Sequence, residues 1–400
     1  MIAPEHLYAT PNALATHYSK FRVDQRLLLT GHSHQAWPDC GFAGQQRAWL
    51  DAAAHVDQKW ERAATMADRV RRGYARLLDD GDGLIALAPN THDLVIRFLS
   101  ALPLQTRPRV VTTDGEFHTI RRQLDRLAEE GLEVVKVPSR PAGAIAERLI
   151  ETVNDKTAAV LVSAVLFSNA HIVPGLGNVL QACQRVGAEL LVDAYHAMNV
   201  VPFSIRREAL DGAFVVGGGY KYCQLGEGNC FLRAPADCNM RPVITGWFAE
   251  FADLATDAPA DQVTYGPGPA HFAGSTYDPT SHYRAATVMD FFEEMDLTPE
   301  FLREVSQHQV GALAWAFDAL DADTDVIRRD RSVPLEEIAG FLSLSSPRAE
   351  TLCRRLGEQG VHCDYRGDLL RLGPAPYLSD QQLRDAMDAL GKLVSTAVSS

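Results

Sequence analysis

Several features that would narrow the function of this 400-residue chain at once are missing from it. Long apolar runs are absent. The most apolar stretch, 158–167, is interrupted by Ser163 and falls well short of the ~20 residues that cross a bilayer, so it reads as a buried strand. Basic charge is scarce, with 38 Lys and Arg against 51 Asp and Glu and a formal net charge of −13. Nucleic-acid and anionic-membrane binders need a basic face for phosphates, so neither partner is expected. Paired cysteine motifs are missing too. The seven cysteines, at 40, 183, 223, 230, 238, 353 and 363, are odd in number and include no CxxC, which argues against a zinc ribbon or a disulfide framework. No metal site is expected. Reduced cysteines, and a start (Met1-Ile2-Ala3-Pro4-Glu5-His6) with no basic segment leading into an apolar one, point to a cytoplasmic protein.

What is present is an ordinary globular composition, 46% hydrophobic and 22% charged, enough for a large core and against wholesale disorder. Short apolar runs, several of them β-branched, at 84–87, 109–113, 134–137, 158–163, 190–193, 213–216 and 230–233 alternate with helical patterns. That alternation predicts an α/β fold on a mostly parallel, seven-stranded sheet. After about residue 285 the texture changes. Two long helices, 283–295 and 301–320, precede a strand–helix–strand unit at 341–372 and a closing helix at 381–394. The expected division is a large domain over 61–284, a smaller α+β C-terminal domain over 285–400, and an N-terminal segment, 1–60, that joins the small one.

The chemistry concentrates in two strand ends. Val192-Asp193-Ala194-Tyr195-His196 puts an acid at the end of one buried strand, and Val215-Val216-Gly217-Gly218-Gly219-Tyr220-Lys221-Tyr222 puts a lysine just past the next. A desolvated lysine at such a place has a lowered pKa and forms Schiff bases. A buried aspartate nearby can hold a pyridinium proton, and glycines let the backbone pass close to a flat ring. Each residue alone has a plainer reading, a turn cap for Asp193 and a solvated surface amine for Lys221. Their order and spacing together favour the cofactor reading.

These segments resemble the fold-type I pyridoxal-phosphate enzymes of the class V aminotransferase group, and within it the kynureninases. Asp193-Ala194-Tyr195-His196 is similar to that family's Asp-x-x-His, and Tyr220-Lys221-Tyr222 to its Tyr-Lys-Tyr. Thr245-Gly246-Trp247-Phe248 resembles its Gly-Trp-Phe/Trp. Val361-His362-Cys363-Asp364-Tyr365-Arg366 and Leu370-Arg371-Leu372-Gly373-Pro374-Ala375-Pro376-Tyr377 resemble its C-terminal strands. The resemblance runs from about residue 27 to 395. It implies pyridoxal 5'-phosphate as cofactor, held covalently by Lys221, with Asp193 on the ring nitrogen and His196 beside it. Phe117 would stack on the ring and Ser163 would lie near its 3-oxygen. Asn90 and Thr91, at a helix start, would hold the phosphate, and Tyr220 would bond it and move protons. Arg371 would take the carboxylate of an amino-acid substrate. Trp247 and Thr276 would enter a neighbouring subunit's site, which implies a homodimer, and His55, Ser33 and Asp278 would face substrate. Plainer alternatives stay open: a core aromatic for Phe117, an edge arginine for Arg371, a packing aromatic for Trp247, a helix-surface histidine for His55.

The chain also departs from the family. Phe117-His118-Thr119 replaces Phe-Pro-Thr/Ser-Asp, Asp278-Pro279 replaces Asn-Pro, and Gly31-His32-Ser33-His34-Gln35 replaces Gly-Asn-Ser-Leu-Gly. The expected activity is therefore hydrolysis of the Cβ–Cγ bond of kynurenine or a modified kynurenine, giving alanine and an aromatic acid. A β-lyase, desulfurase or aminotransferase on the same scaffold is the alternative. Cys363 would be a desulfurase nucleophile or, as we read it, a structural cysteine. A catalytically silent regulator with a helix-turn-helix in 334–360 is the remaining competitor.

Overall fold

A computed structural model describes residues 2–253 and 262–397. Seven strands form the central sheet: β1 (Leu84–Ala88), β2 (Arg109–Thr113), β3 (Glu133–Val137), β4 (Thr157–Ser163), β5 (Glu189–Asp193), β6 (Phe214–Gly218) and β7 (Cys230–Ala234). Their order is β1-β7-β6-β5-β4-β2-β3. The β6-β5-β4-β2-β3 ladder is parallel throughout, and β7 runs antiparallel to both β6 and β1. This is the mostly parallel seven-stranded α/β sheet that the sequence predicts. Helices cover both faces, so the central strands are continuous apolar runs rather than alternating ones. Every residue of β4 is buried. The covering helices show the complementary pattern. In His118–Glu129, Ile120 and Leu124 lie four apart on the buried face, as an amphipathic helix requires.

The glycine run differs from its expected use. Gly217 and Gly218 continue β6 instead of forming a loop. A Cβ on Gly218 would sit 2.5 Å from Tyr195 Oη and 2.6 Å from Cys230 Sγ, and one on Gly217 2.8 Å from the Phe231 ring. These glycines make room for side chains of the protein itself.

The second hydrophobic cluster joins the two ends of the chain. Leu7, Leu14, Tyr18 and Leu29 pack with Leu344, Leu352, Leu370 and Tyr377. A four-stranded sheet lies there, made of β8 (Arg328–Arg329), β9 (Leu342–Ser345), β10 (Asp364–Arg366) and β11 (Leu369–Leu372), in the order β10-β11-β9-β8. Leu27–Leu28 pairs in parallel with Val361–His362, and Gly31 N donates to Gly373 O at 2.8 Å. A Cβ on Gly31 would fall 2.2 Å from Pro374 O, so this close approach requires glycine. Helix Thr280–Glu294 contributes Ala285, Ala286, Val288 and Met289 to the large-sheet core.

No helix-turn-helix forms in 334–360. Its first helix is a single 3-10 turn, Leu335–Glu337, and the chain then extends into β9. Among the described residues no helix is long and apolar enough to cross a membrane, and no three His, Cys, Asp or Glu side chains gather as metal ligands.

Candidate active site

The carboxyl ends of the parallel strands converge on one edge of the sheet, where open α/β folds bind ligands. β1 leads through Pro89 to Asn90, the N-cap of helix Thr91–Ala101, whose Oδ1 accepts from Asp93 N at 2.8 Å. β2 leads to Phe117, at the start of helix His118–Glu129. β4 ends at Ser163, β5 at Asp193, and β6 delivers Tyr220 and Lys221. A cavity of about 380 Å³ is lined by Asn90, Thr91, Phe117, Ser163, Asp193, His196, Tyr220 and Lys221 together.

Lys221 is 5% exposed. Its Nζ lies 2.7 Å from His196 Nε2 and faces the rings of Tyr195 (5.1 Å), Phe117 (5.4 Å) and Tyr220 (5.6 Å). Burial pushes its pKa down to about 7, against the pull of Asp193. Burial also raises the Asp193 carboxyl above its ordinary value, though it accepts from Tyr195 N at 2.9 Å. His196 is held neutral, first by burial and then by the Lys221 charge. Its Nδ1 is buried with no partner among the described residues, an expensive state for a polar atom unless a ligand meets it. Tyr220 is pushed up to about 12 by burial, so its phenol keeps its proton at neutral pH.

Beneath the cavity, Glu116 is 2% exposed and accepts from Ser163 Oγ and Thr113 Oγ1, each at 2.6 Å. Burial raises its pKa to about 7. Arg371 stands behind the Phe167 wall and donates through Nη1 to Phe167 O at 2.5 Å. Its Nε and Nη2 grip Asp364 at 2.8 and 2.5 Å. Asp364 also bonds His32 Nε2 at 2.8 Å. Burial works against the Asp364 charge, but His32 and Arg371 hold its pKa well below the usual carboxylate range.

The other expected substrate residues lie elsewhere in this chain. Trp247 and Thr276 hydrogen-bond each other, Nε1 to Oγ1 at 3.3 Å. They line a second cavity of about 1010 Å³, walled by Trp60, Phe248, Phe251 and Tyr277. The two cavities share Pro89 as a wall. Asp278 Oδ1 accepts from Thr280 N (2.9 Å) and Thr280 Oγ1 (2.6 Å) at the start of helix Thr280–Glu294. Ser33 is half-buried, its Oγ 3.3 Å from His34 Nδ1, while the His34 ring stacks on Tyr220 at 4.9 Å. His55 ends helix Cys40–His55, half-buried and outside the lining of both cavities.

Sequence reasoning missed Asp364 and Glu116. Asp364 was accessible in principle, because a turn at Gly367-Asp368 sets an antiparallel register that places 364 opposite 371. For Glu116 the local signal is only half of what is needed: Thr113 lies three residues before it, but Ser163 comes from β4.

No protein-family model matches the chain. The aminotransferase YcbU of Bacillus subtilis (strain 168), itself called uncharacterized, is 21% identical over 350 residues, 86% of this chain and 88% of the relative. The kynureninase of Geobacillus thermodenitrificans (strain NG80-2) is 22% identical over 419 residues, 98% of this chain and 89% of the relative. Among solved structures, a C-DES variant with glycine covalently linked to the PLP cofactor superposes with a TM-score of 0.82 at 14% identity, covering 94% of this chain and 98% of that one. An apo cysteine desulfurase from Thermococcus onnurineus NA1 gives 0.78 at 15% identity, covering 93% and 96%. The fold is that of the fold-type I pyridoxal-phosphate enzymes.

Proposed function

We propose that the protein is a pyridoxal-phosphate-dependent enzyme of the class V aminotransferase type that acts on an α-amino acid. The observation that carries this reading is Lys221, a buried amine with its pKa near 7, set among Asp193, His196 and three aromatic rings. The residues fit the cofactor on structural grounds. The unpartnered His196 Nδ1 awaits a polar group, Asp193 offers a carboxylate to a ring nitrogen, and Phe117 offers a flat apolar face. Asn90, Thr91 and His92, at the start of helix Thr91–Ala101, line the cavity, and a helix N-terminus suits a phosphate. When bound, pyridoxal phosphate supplies the electron sink that amino-acid carbanion chemistry needs.

We further propose that the reaction is hydrolytic cleavage of the Cβ–Cγ bond of an aryl-keto amino acid, kynurenine or a hydroxylated kynurenine. With a pKa near working pH, Lys221 suits taking the substrate α-proton and returning it. Tyr220, protonated at neutral pH, suits donating a proton beside it. Arg371 would bind the α-carboxylate through the N–H groups that Asp364 and Phe167 O leave unengaged. The aryl ring would lie in the aromatic-walled cavity of a second copy of the chain. Supporting a homodimer, Ile244, Trp247 and Phe251 beside that cavity are 53, 44 and 56% exposed, an apolar surface that asks for a partner. Asp278 Oδ2, not engaged in the helix-start bonds, would meet a ring hydroxyl. His55 and Ser33 would form the rim, and the division at 61–284 and 285–400 belongs to the same reading.

A β-elimination is the second reading, favoured by the likeness to C-DES, a cystine C–S lyase. A desulfurase is less suited. The one cysteine lining the Lys221 cavity, Cys230, is buried and its thiol is pushed up to about 12.

The test joins a spectrum to a product assay. The holoprotein should show a near-visible band abolished by borohydride, and Lys221→Ala should lack it. Alanine and an aromatic acid from kynurenine or its 3-hydroxy derivative would support hydrolysis. Pyruvate from cystine, with neither kynurenine cleaved, would transfer the case to β-elimination. A borohydride-reducible band surviving in Lys221→Ala would overturn the whole assignment.

A further inference from the structure

Cys353 and Cys363 lie with their sulfurs 3.8 Å apart, the Cys363 thiol toward Cys353 Sγ. Cys353 Sγ in turn points at the Cys363 carbonyl at 3.5 Å. Both residues are partly exposed, unlike Cys183, Cys223 and Cys230, which are buried. The two belong to different elements. Cys353 sits on helix Ala349–Glu358, and Cys363 links Val361–His362 to β10. Cys363 immediately precedes Asp364, the carboxylate that grips Arg371 and His32.

We propose that Cys353 and Cys363 are a redox modification site, a dithiol that closes reversibly to an intrachain disulfide on meeting a low-molecular-weight disulfide such as oxidised glutathione. A disulfide needs its sulfurs at ~2.05 Å, so closure asks the pair to approach by about 2 Å, within reach of side-chain rotation about χ1. Cys353 is the entry point. The hydrogen bond from Cys363 holds its pKa below the ordinary thiol value, and the thiolate is the nucleophile. Cys353 attacks one sulfur of the reagent, breaking its S–S bond and releasing one thiolate. Cys363 then attacks the Cys353 sulfur of the mixed disulfide, forms the intrachain bond and releases the second thiolate. The protein gives up two protons and two electrons, and the reagent is reduced to two thiols. The bond would tie helix Ala349–Glu358 to the corner that carries Asp364. None of this depends on the reaction catalysed at Lys221.

The experiment uses the full-length holoprotein, incubated with oxidised glutathione and then digested after alkylation of free thiols. The expected result is a mass lower by about 2 Da, the loss of two titratable thiols, and one linked peptide pair joining Cys353 to Cys363. Dithiothreitol should restore all three. Cys363→Ser should stop at a glutathione adduct on Cys353, and Cys353→Ser should show no loss of 2 Da. A stable glutathione adduct on Cys353 of the unaltered protein would overturn the proposal, as would a bond between any other cysteines or seven unchanged thiols. Circular dichroism of both variants guards against misfolding. If either unfolds, the peptide map of the unaltered protein decides alone.

Discussion

Two regions that meet at Phe167 are built in opposite ways. Around Lys221 the buried polar groups are under-partnered. Among the described residues His196 Nδ1 has no partner, and Lys221 Nζ has only His196 within hydrogen-bond reach. Around Arg371 the charges are already paired. The guanidinium carries five N–H donors, and three bonds, two to Asp364 and one to Phe167 O, engage it. Two donors are left. Unpaired buried groups cost stability, so the first region makes sense as a receptor for something large and polar. The second makes sense as a preset edge, a guanidinium held in place by Asp364 and Phe167 O. The cofactor side thus gains its partners from a ligand, whereas Arg371 and Asp364 have theirs from the chain, with His32 Nδ1 left unpartnered there among the described residues.

The largest break in this contrast comes from the Lys221 side. Asp193→Asn removes the charge that, in the proposed function, meets the ring nitrogen, and keeps its shape. Turnover should fall by about 10³-fold, the scale seen when one preorganised electrostatic contact is lost. Cofactor binding, followed by absorbance titration, should change far less. Near-normal turnover would make Asp193 a turn residue only, bonded to Tyr195 N.

A smaller effect is expected at the other region. Asp364→Asn should loosen Arg371 and raise KM for the amino acid by about 10-fold, with kcat within about twofold, because uniform binding is what Asp364 sets up. A lower KM would mean that Asp364 competes with substrate for the guanidinium, and the preset-edge account would fail.

The same contrast explains what could be read in advance. The sheet was legible because each buried strand carries its own apolar run; 109–113 has the same limits in both readings. The Lys221 residues were legible because each sits at a strand or helix end, so that sequence order maps onto position. The Arg371 partners were not, because they depend on register and on a segment more than three hundred residues away, as with His32 and Asp364. The glycine run misled for a related reason. What needs the space is Tyr195, Phe231 and Leu225, and no local pattern names them. The 335–341 stretch has helical spacing, but after one 3-10 turn Ile338 pairs with His171 and the chain runs on into β9, so tertiary pairing overrides propensity.

The subtlest expected effect is on acid stability and isolates His32. This imidazole is fully buried, and burial pushes its pKa down to about 4 despite the bond to Asp364. In the unfolded chain it takes up a proton near pH 6.5. Between pH 6.5 and about 4 the unfolded state therefore binds more protons than the folded one, and stability falls as the pH falls through that window. From pH 6.5 to 5.5 the share of one such histidine is about 1 kcal/mol. His196 and His282 are also held below their ordinary values by burial and slope in the same direction, so the unaltered protein should lose stability more steeply than one histidine explains. His32→Gln retains a donor for Asp364 and removes the titration. Urea unfolding of the two proteins at pH 6.5 and 5.5 should show the variant losing less stability on acidification, by about that 1 kcal/mol, whatever its absolute stability. The Asp364 carboxyl, held well below the usual carboxylate range, titrates below this window and does not blur the comparison. Equal slopes would mean that His32 is reached by water and protonates in the folded state, so that the Arg371 corner is less closed than its bonding implies.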